Sequence, residues 1–341
     1  MVHARVALLI VGAGACTGNS SVATGQIDAW QEGAPLPIAR ANHCSAVIGD
    51  TVFVIGGNTK VGASFVKTDT IHAGKVADDG TITWTLAGIT PSPVSECTAI
   101  ADRHRLFLID GLYDIEADAR GVFTANFDEK TGLLDVFAPF GTLPQITLSS
   151  EATIHDNTLL VMDTVLPSDG DRTVTLRTST TAPAEWATDD WAIPFLAQAQ
   201  YAFTDKFAYT IGGYLGDPGN PVSTDVFAAP IAAGGAISLT RTSTPLPMPI
   251  SHGEAVAVDD YLFVVGGRNA VLGAPGTTTV LSAKIVEDDG SLDPWQSIAP
   301  LPMARTNHEL SLVGDFLVVT GGAVNGPGDA NVFVTRVRFP N

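Results

Sequence analysis

The chain has 341 residues, 45% of them apolar and 16% charged, so it is long and apolar enough to bury a large core and does not have the composition of a disordered chain. Its 36 acidic and 18 basic residues give a formal net charge of −18, which argues against nucleic acid and anionic lipid surfaces as partners. Its 34 glycines and 21 prolines favour short strands and tight turns over long helices.

The first 16 residues have the pattern of an export signal. Arg5 precedes the apolar run 6–11, and small residues then lead to Cys16, a stretch too short to span a membrane as a helix of the mature protein. The ending AGAC at 13–16 resembles a bacterial lipobox, although Leu is usual where Ala13 stands. We therefore expect lipidation of Cys16 and a place at the outer membrane or cell surface, with membrane contact only through the lipid. Ordinary signal cleavage with secretion and a misread N-terminus are the alternatives.

The polar residues 17–24 are rich in Ser, Gly and Asn, which suits a flexible tether. A repeat begins after them: residues 30–57 and 295–322 align without a gap and share Trp, Pro-Leu-Pro, Ala-Arg, Asn-His, Gly-Asp and Gly-Gly. Weaker copies occupy 84–111 and 245–267, and two degenerate copies lie between them. The paired-glycine position recurs at Gly56, Asp110, Asp163, Gly212, Gly266 and Gly321. Steps of about 50 residues are typical of a propeller blade of four strands.

Short apolar runs precede this recurring position in every copy, and such runs predict strands that are buried on both faces. They are residues 52–55, 106–109, 159–162, 208–211, 262–265 and 317–319. The glycines that follow permit a positive φ and close backbone approach. Asp-Gly segments at 77–80 and 287–290 predict tight turns rather than metal sites. The recurring Trp30, Trp84 and Trp295 predict packing between blades rather than a ligand cage.

The two ends of the chain complete one blade. The last copy stops after a third strand at 331–339, while residues 25–30, GQIDAW, resemble residues 290–295, GSLDPW. The N-terminal segment is therefore expected to supply the outer strand of the last blade and close the ring. The predicted fold is all-β, a single six-bladed β-propeller over residues 25–341.

By these motifs the chain resembles the kelch-repeat family over nearly all of its length after residue 24. The resemblance implies a propeller that binds a ligand or partner; some members are instead enzymes, including galactose oxidase-like copper enzymes and sialic acid mutarotases. The five tyrosines do not match the ligand pattern of the copper enzymes. No other catalytic motif is present, so we predict no catalytic residues, no metal site and no cofactor.

Two cysteines, Cys44 and Cys97, remain when Cys16 is set aside, and a pair in an oxidising compartment predicts a disulfide. In the aligned copies Cys44 lies one step beyond the position of Cys97. Their side chains should therefore emerge on opposite faces of equivalent strands and can meet between neighbouring blades. Two buried thiols are the alternative.

The loop that leads into the innermost strand of each blade approaches the mouth of the central channel, so its aligned polar residues should form a ring. The ring comprises Arg40 and Arg305; Asn42, Glu96, Gln198, His252 and Asn307; His43 and His308; and Glu151, Glu254 and Glu309. Arg40 and Arg305 are expected side by side, where they would bind an acidic sugar or peptide carboxylate. The alternative is that each binds backbone carbonyls or acidic neighbours. His43 and His308 are expected to form hydrogen bonds between blades rather than a metal pair.

The expected function is an exported, surface-anchored recognition module that binds a carbohydrate, a peptide or a protein through one propeller face. A sugar-modifying enzyme of the sialic acid mutarotase type and a structural envelope or assembly protein are the two alternatives. The identity of the ligand does not follow from the sequence.

Overall fold

The computed structural model of the chain describes residues 25–109, 111–113, 120–145, 150–165, 172–181, 185–191, 193, 196–215, 221–237, 240–270, 274–286, 288–324 and 328–338. The predicted signal, Cys16 and the predicted tether lie outside these residues. The described part is almost entirely β-structure, with one 3-10 turn at Ala233–Gly235. No helix within it is long and apolar enough to cross a membrane.

Six antiparallel sheets form the blades of a β-propeller, as predicted, and the strands of each blade run in order from the innermost outward. Blade 1 contains Cys44–Ile48, Thr51–Ile55, Ser64–Val76 and Ile82–Ser95, and blade 2 contains Thr98–Asp102, Arg105–Ile109, Gly121–Asp128 and Ala138–Thr142. Blade 3 contains Glu151–His155, Thr158–Val165, Arg172–Ser179 and Ala187–Asp190, and blade 4 contains Gln200–Phe203, Phe207–Ile211, Val226–Pro230 and Arg241–Thr242. Blade 5 contains Ser251–Val258, Tyr261–Arg268, Val280–Lys284 and Gln296–Ser297.

Blade 6 combines Glu309–Val313, Phe316–Thr320 and Val332–Arg338 with the N-terminal strands Gln26–Ile27 and Gln31–Glu32. Short additional strands lie at Asn58–Val61, Leu112–Tyr113, Leu133–Leu134, Leu196–Ala197 and Tyr214–Leu215. The ring closure predicted from the matching ends of the chain is therefore confirmed.

The core lies between the blades rather than within one central cluster. Each second strand is a predicted apolar run, and in blade 1 it is buried from Thr51 to Ile55 on both faces. Phe53 packs towards blade 2 with Phe127, whereas Val52 packs towards blade 6 with Val318. Because each strand presents alternate side chains to two neighbours, a continuous apolar run is what this geometry requires.

The paired glycines carry hydrogen bonds from blade to blade. The N–H of the second glycine donates to a carbonyl in the loop that enters the next blade, at N···O distances of 2.7 to 2.9 Å for Gly57 to Val94, Gly213 to Ile250, Gly267 to Arg305 and Gly322 to Arg40. The first glycine has a positive φ, 61° at Gly212, where an added Cβ would collide with the carbonyl oxygen of Ile250. The predicted need for positive φ and close approach is confirmed.

The N-terminus of the described chain lies on the face opposite the channel mouth. In blade 6 the third strand begins near the mouth, where Val332 pairs with Thr320, and it ends at Arg338, which pairs with Gln26. Gly25 therefore lies at the end of the blade farthest from the mouth, and the described chain begins on the face opposite the mouth.

The tryptophans of the repeat fix the loops that connect consecutive blades. Each indole N–H donates to a carbonyl in such a loop: Trp30 to Ala299 at 3.0 Å, Trp84 to Ala34 at 2.9 Å and Trp295 to Thr244 at 3.0 Å. These residues have a packing role, as predicted.

Candidate functional site

A series of four backbone hydrogen bonds runs along the channel mouth through blades 4, 5, 6, 1 and 2. Its members, which we call the mouth ring, are Asn42, Glu96, Gln198, His252 and Asn307, and all have left-handed φ values between 52° and 56°. Each backbone N–H donates to the backbone carbonyl of the corresponding residue in a neighbouring blade, at N···O distances of 2.7 to 3.1 Å. The pairs are Glu96 to Asn42, Asn42 to Asn307, Asn307 to His252, and His252 to Gln198. This conformation is uncommon outside glycine, so the ring holds five polar residues in a constrained backbone at one level.

A second polar level lies two residues further along each innermost strand. Strand register proves the equivalence, because each of these residues pairs with the residue just before the recurring paired-glycine position, as Glu309 does with Thr320 and Gln200 with Ile211. We call the four members contributed by blades 3 to 6 the channel belt: Glu151, Gln200, Glu254 and Glu309. Mouth ring and channel belt line one cavity of about 160 Å³.

The carboxyl groups of the channel belt have no compensating cation among the described residues that line the cavity. Burial raises the pKa of Glu151 to about 7. Burial also raises the pKa values of Glu254 and Glu309 well above the usual range, and repulsion from the other glutamates of the belt adds to the shift. The Ser45 hydroxyl donates a hydrogen bond to Glu309 Oε2 at 2.9 Å. This bond lowers the pKa of Glu309, but by less than burial raises it. The folded protein therefore disfavours the charged form of all three carboxyls.

His252 is a neutral member of the mouth ring. Burial lowers its pKa to about 3, and the nearby positive charge of Arg268 contributes to the shift. Its ring lies 5.2 Å from that of Tyr214 in an edge-on contact, and its Nδ1 is 3.2 Å from the Ser251 hydroxyl. At neutral pH His252 thus offers one hydrogen-bond donor and one acceptor rather than a charge.

The two aligned histidines pack between blades. His43 in blade 1 bonds through Nε2 to the Thr320 hydroxyl of blade 6 at 2.9 Å. His308 lies against Gly266 of blade 5 as His43 lies against Gly321 of blade 6, so a Cβ at either glycine would strike the ring. Among the described residues, no three His, Cys, Asp or Glu side chains form a group that could hold a metal ion.

The arginine pair does not form the expected anion site. Arg40 is fully buried within blade 1, where its guanidinium donates to the carbonyls of Gly56 at 2.7 Å and Thr70 at 3.1 Å. Arg305 is fully buried within blade 6, 2.6 Å from Asp329 Oδ2 and 5.0 Å above the Phe333 ring. Neither lines the cavity. The alternative interpretation, that each binds carbonyls or acidic neighbours, describes both arginines.

Cys44 and Cys97 form a disulfide between the innermost strands of blades 1 and 2, with a Cα–Cα distance of 5.4 Å. Both cysteines contribute to the cavity wall. Cys97 follows Glu96 directly, and Glu96 Oε1 accepts a hydrogen bond from Asn42 Nδ2 at 3.0 Å. The covalent link therefore fixes the part of the mouth ring that lies between these two blades.

The site contains residues that the aligned motifs missed. Gln200 and Thr98 stand at the level of the belt glutamates, and Ser45 binds one of them. Gln200 could have been found from the alignment, because it follows Gln198 by the same two-residue step that separates Glu254 from His252. The predicted residues Asn42, His43, Glu96, His252, Glu254, Asn307, His308 and Glu309 all line the cavity, together with Glu151 and Gln198.

Comparisons with known proteins agree with the fold. No family model matches the chain. Two relatives, Kelch-like protein 25 of Rattus norvegicus and of Mus musculus, are each 29% identical to this chain over 84 residues. The matched region makes up 24% of this chain and 14% of the length of those relatives. The solved structure of YjhT superimposes with a TM-score of 0.65 at 14% identity, covering 90% of this chain and 99% of that one. Repeats, blades and neighbour together identify the chain as a kelch-repeat β-propeller with six blades.

Proposed function

We propose that the protein is a binding module that takes a small, polyhydroxylated ligand of monosaccharide size at the mouth of its channel. The observation that carries the proposal is the convergence of the mouth ring and the channel belt on one cavity of about 160 Å³. Such a volume holds on the order of ten water molecules, which a sugar ring with its hydroxyl groups can replace. A concave site with converging polar groups is the usual place for a small ligand.

The chemistry of the lining favours hydroxyl groups. The amides of Asn307 and Gln200 each carry donors and an acceptor, and the carboxyl of Glu254, whose charged form burial disfavours, carries acceptor oxygens and one donor when it holds a proton. Because the mouth ring is held by its own backbone hydrogen bonds, these groups are ordered before a ligand arrives, which lowers the entropic cost of binding.

Export and surface anchoring form part of the proposal. The expected lipid would be attached at Cys16, and Gly25 lies on the face opposite the mouth. A tether of residues 17–24 from that face would therefore hold the mouth away from the membrane and towards soluble ligands. Metabolic labelling with a fatty acid, compared between the full chain and Cys16→Ser, tests the anchor.

The binding proposal is tested with a panel of monosaccharides by saturation-transfer NMR. We expect Glu254→Ala to abolish binding of the sugars that the unmodified chain takes up, because it removes a group from the centre of the belt. Asp260→Ala, on the opposite face, is the matched control and should bind normally. Failure of every sugar to bind, or undiminished binding by a folded Glu254→Ala variant, would contradict the proposal.

A sugar-modifying activity is a second candidate, favoured by one observation. A carboxyl with a pKa of about 7, Glu151, lies at the same level as Glu254 and Glu309, whose pKa values burial and mutual repulsion also raise. Such a set can accept and donate protons near neutral pH, as the opening and closing of a sugar ring at its anomeric carbon require. Anomeric exchange on neutral hexoses, measured by NMR with and without Glu151→Gln, separates this enzyme from a binding module.

A further inference from the structure

We infer that the ligand of this channel carries a positive charge, and that a protonated amine, such as the ammonium group of an amino sugar, binds at the channel belt beside Glu254 and Glu309. The inference rests on the proposed function, because it assigns a chemical class to the ligand of the same cavity. It also reverses the expectation of an acidic ligand.

The charge of the cavity wall points to a cation. Three glutamates of the belt and Glu96 of the mouth ring line the cavity, whereas no Lys or Arg does so among the described residues. The buried arginines nearest in sequence, Arg40 and Arg305, are engaged inside their own blades. Arg268 acts on His252 at the mouth, and no arginine contributes to the shifts of the belt carboxyls. An anionic ligand would therefore find no Lys or Arg to pair with on the described part of the cavity wall.

An unpartnered acceptor in the belt supplies independent evidence. Gln200 lines the cavity with only 1% of its surface exposed, and its Oε1 has no hydrogen-bond partner among the described residues. Its amide nitrogen donates to the Gln198 carbonyl at 3.3 Å, which fixes the oxygen as the end without a partner. Buried acceptors are normally paired, and this oxygen, which lies beside Gly212 behind the cavity wall, receives no donor from the described residues.

The ammonium group matches this set of acceptors. It has three N–H donors and no acceptor, and the belt offers carboxyl oxygens together with the Gln200 amide oxygen. A compact metal ion suits the belt less well, because the described residues contain no group of three acidic or His side chains that could hold one. An organic cation carries its donors and hydroxyl groups over a wider span, which fits a cavity lined from several blades.

Binding of such a cation must displace a proton. Burial and mutual repulsion disfavour the charged form of the belt carboxyls, so an ammonium that pairs with one of them favours its ionisation and releases its proton to solvent. Three histidines surround the belt, His43, His252 and His308. Burial lowers their pKa values, so above pH 6.5 they are neutral and do not change the pH dependence of binding. Affinity should therefore rise with pH from 6.5 until the amine itself loses its proton.

The test compares matched sugars by isothermal titration calorimetry at pH 7.5. Glucosamine, galactosamine and mannosamine are titrated beside glucose, galactose and mannose, and beside the three N-acetyl derivatives, which keep the nitrogen but lose its charge. We expect at least one amino sugar to bind ten or more times tighter than its neutral parent and its N-acetyl derivative. We also expect proton release in buffers of different ionisation enthalpy.

The Glu254→Gln/Glu309→Gln variant distinguishes charge from shape, because glutamine imitates the protonated carboxyl and preserves the fold. It should lose the preference for the amino sugar while Asp260→Asn retains it. Equal binding of neutral and amino sugars would overturn the inference and leave the proposed function standing. If none of the nine sugars binds, both fail, and a preference that survives in the double variant would also overturn the inference.

Discussion

Arg338 and Asp28, at opposite ends of the described chain, form a two-point ion pair in blade 6, with 2.6 Å from Nε to Oδ1 and 2.8 Å from Nη2 to Oδ2. Around it, Gln26 pairs with Arg338 and Gln31 with Val334. The ion pair is exposed on both sides, so it adds little by itself, whereas the strand pairing joins the two chain ends. The ring is therefore closed by backbone hydrogen bonds between the two chain ends, and the exposed ion pair contributes little.

Deletion of residues 25–32 should destabilise the propeller far more than Asp28→Ala. The deletion exposes the edge of Val332–Arg338 and removes Trp30 from the core between blades 5 and 6, whereas the substitution removes only an exposed pair. Thermal unfolding by circular dichroism measures both. Comparable melting temperatures for the deletion variant and the full chain would show that the ring does not depend on this closure.

The disulfide should contribute about 4 kcal/mol to the free energy of unfolding, because it closes a loop of 53 residues in the unfolded chain. Reductant is expected to lower the denaturation midpoint of the unmodified protein but to leave that of Cys44→Ala/Cys97→Ala unchanged. Alkylation of the unfolded chain without reductant, read by intact mass, should label neither cysteine. Two labels per chain would indicate free thiols.

The architecture could be predicted from sequence because it depends on repeated, local features. The Trp, the apolar run and the paired glycines each have one structural consequence, and two well-preserved copies such as 30–57 and 295–322 fix their spacing. Degenerate copies contribute little, and for that reason Gln200 was missed although it lies at the same level as Glu254.

The placement of the arginines could not be predicted, because it depends on backbone conformation. Asn42 and Asn307 have left-handed φ values that turn the chain just before the innermost strand. Arg40 and Arg305 stand two residues earlier, and there the turn directs their side chains into the blade instead of the channel. Alignment places residues at equivalent positions but does not show a positive φ at residues other than glycine.

Gly212→Ala should destabilise the protein more than Gly314→Ala. Both glycines have a positive φ, 61° and 56°, so both variants carry the left-handed penalty of about 1 to 2 kcal/mol. At Gly314 an added Cβ meets nothing within 4 Å, whereas at Gly212 it strikes the Ile250 carbonyl and separates blades 4 and 5. Chemical denaturation should show an additional loss of about 1 to 3 kcal/mol for Gly212→Ala. Equal losses would mean that close approach at the paired glycines is unimportant.

The unfolding free energy should fall as pH rises above 6.5, and the belt glutamates should cause the fall. The folded-state pKa of Glu151 is about 7, and those of Glu254 and Glu309 are raised well above 4.5, so the native state binds more protons than the unfolded chain from pH 4.5 upwards. Stability from this source is complete below pH 4.5 and is lost as pH rises through the folded pKa values.

Buried histidines act in the opposite sense but in a different range. His43, His252 and His308 have pKa values lowered from 6.5 in the folded protein, so they destabilise it only as pH falls below 6.5. Between pH 6.5 and 8 these histidines no longer contribute, and each belt carboxyl that stays protonated contributes a slope of at most about 1.4 kcal/mol per pH unit. Urea denaturation at several pH values in this range should show a decline for the unmodified protein and a nearly flat profile for Glu151→Gln/Glu254→Gln/Glu309→Gln. An equal decline in both proteins would place its origin outside the channel belt.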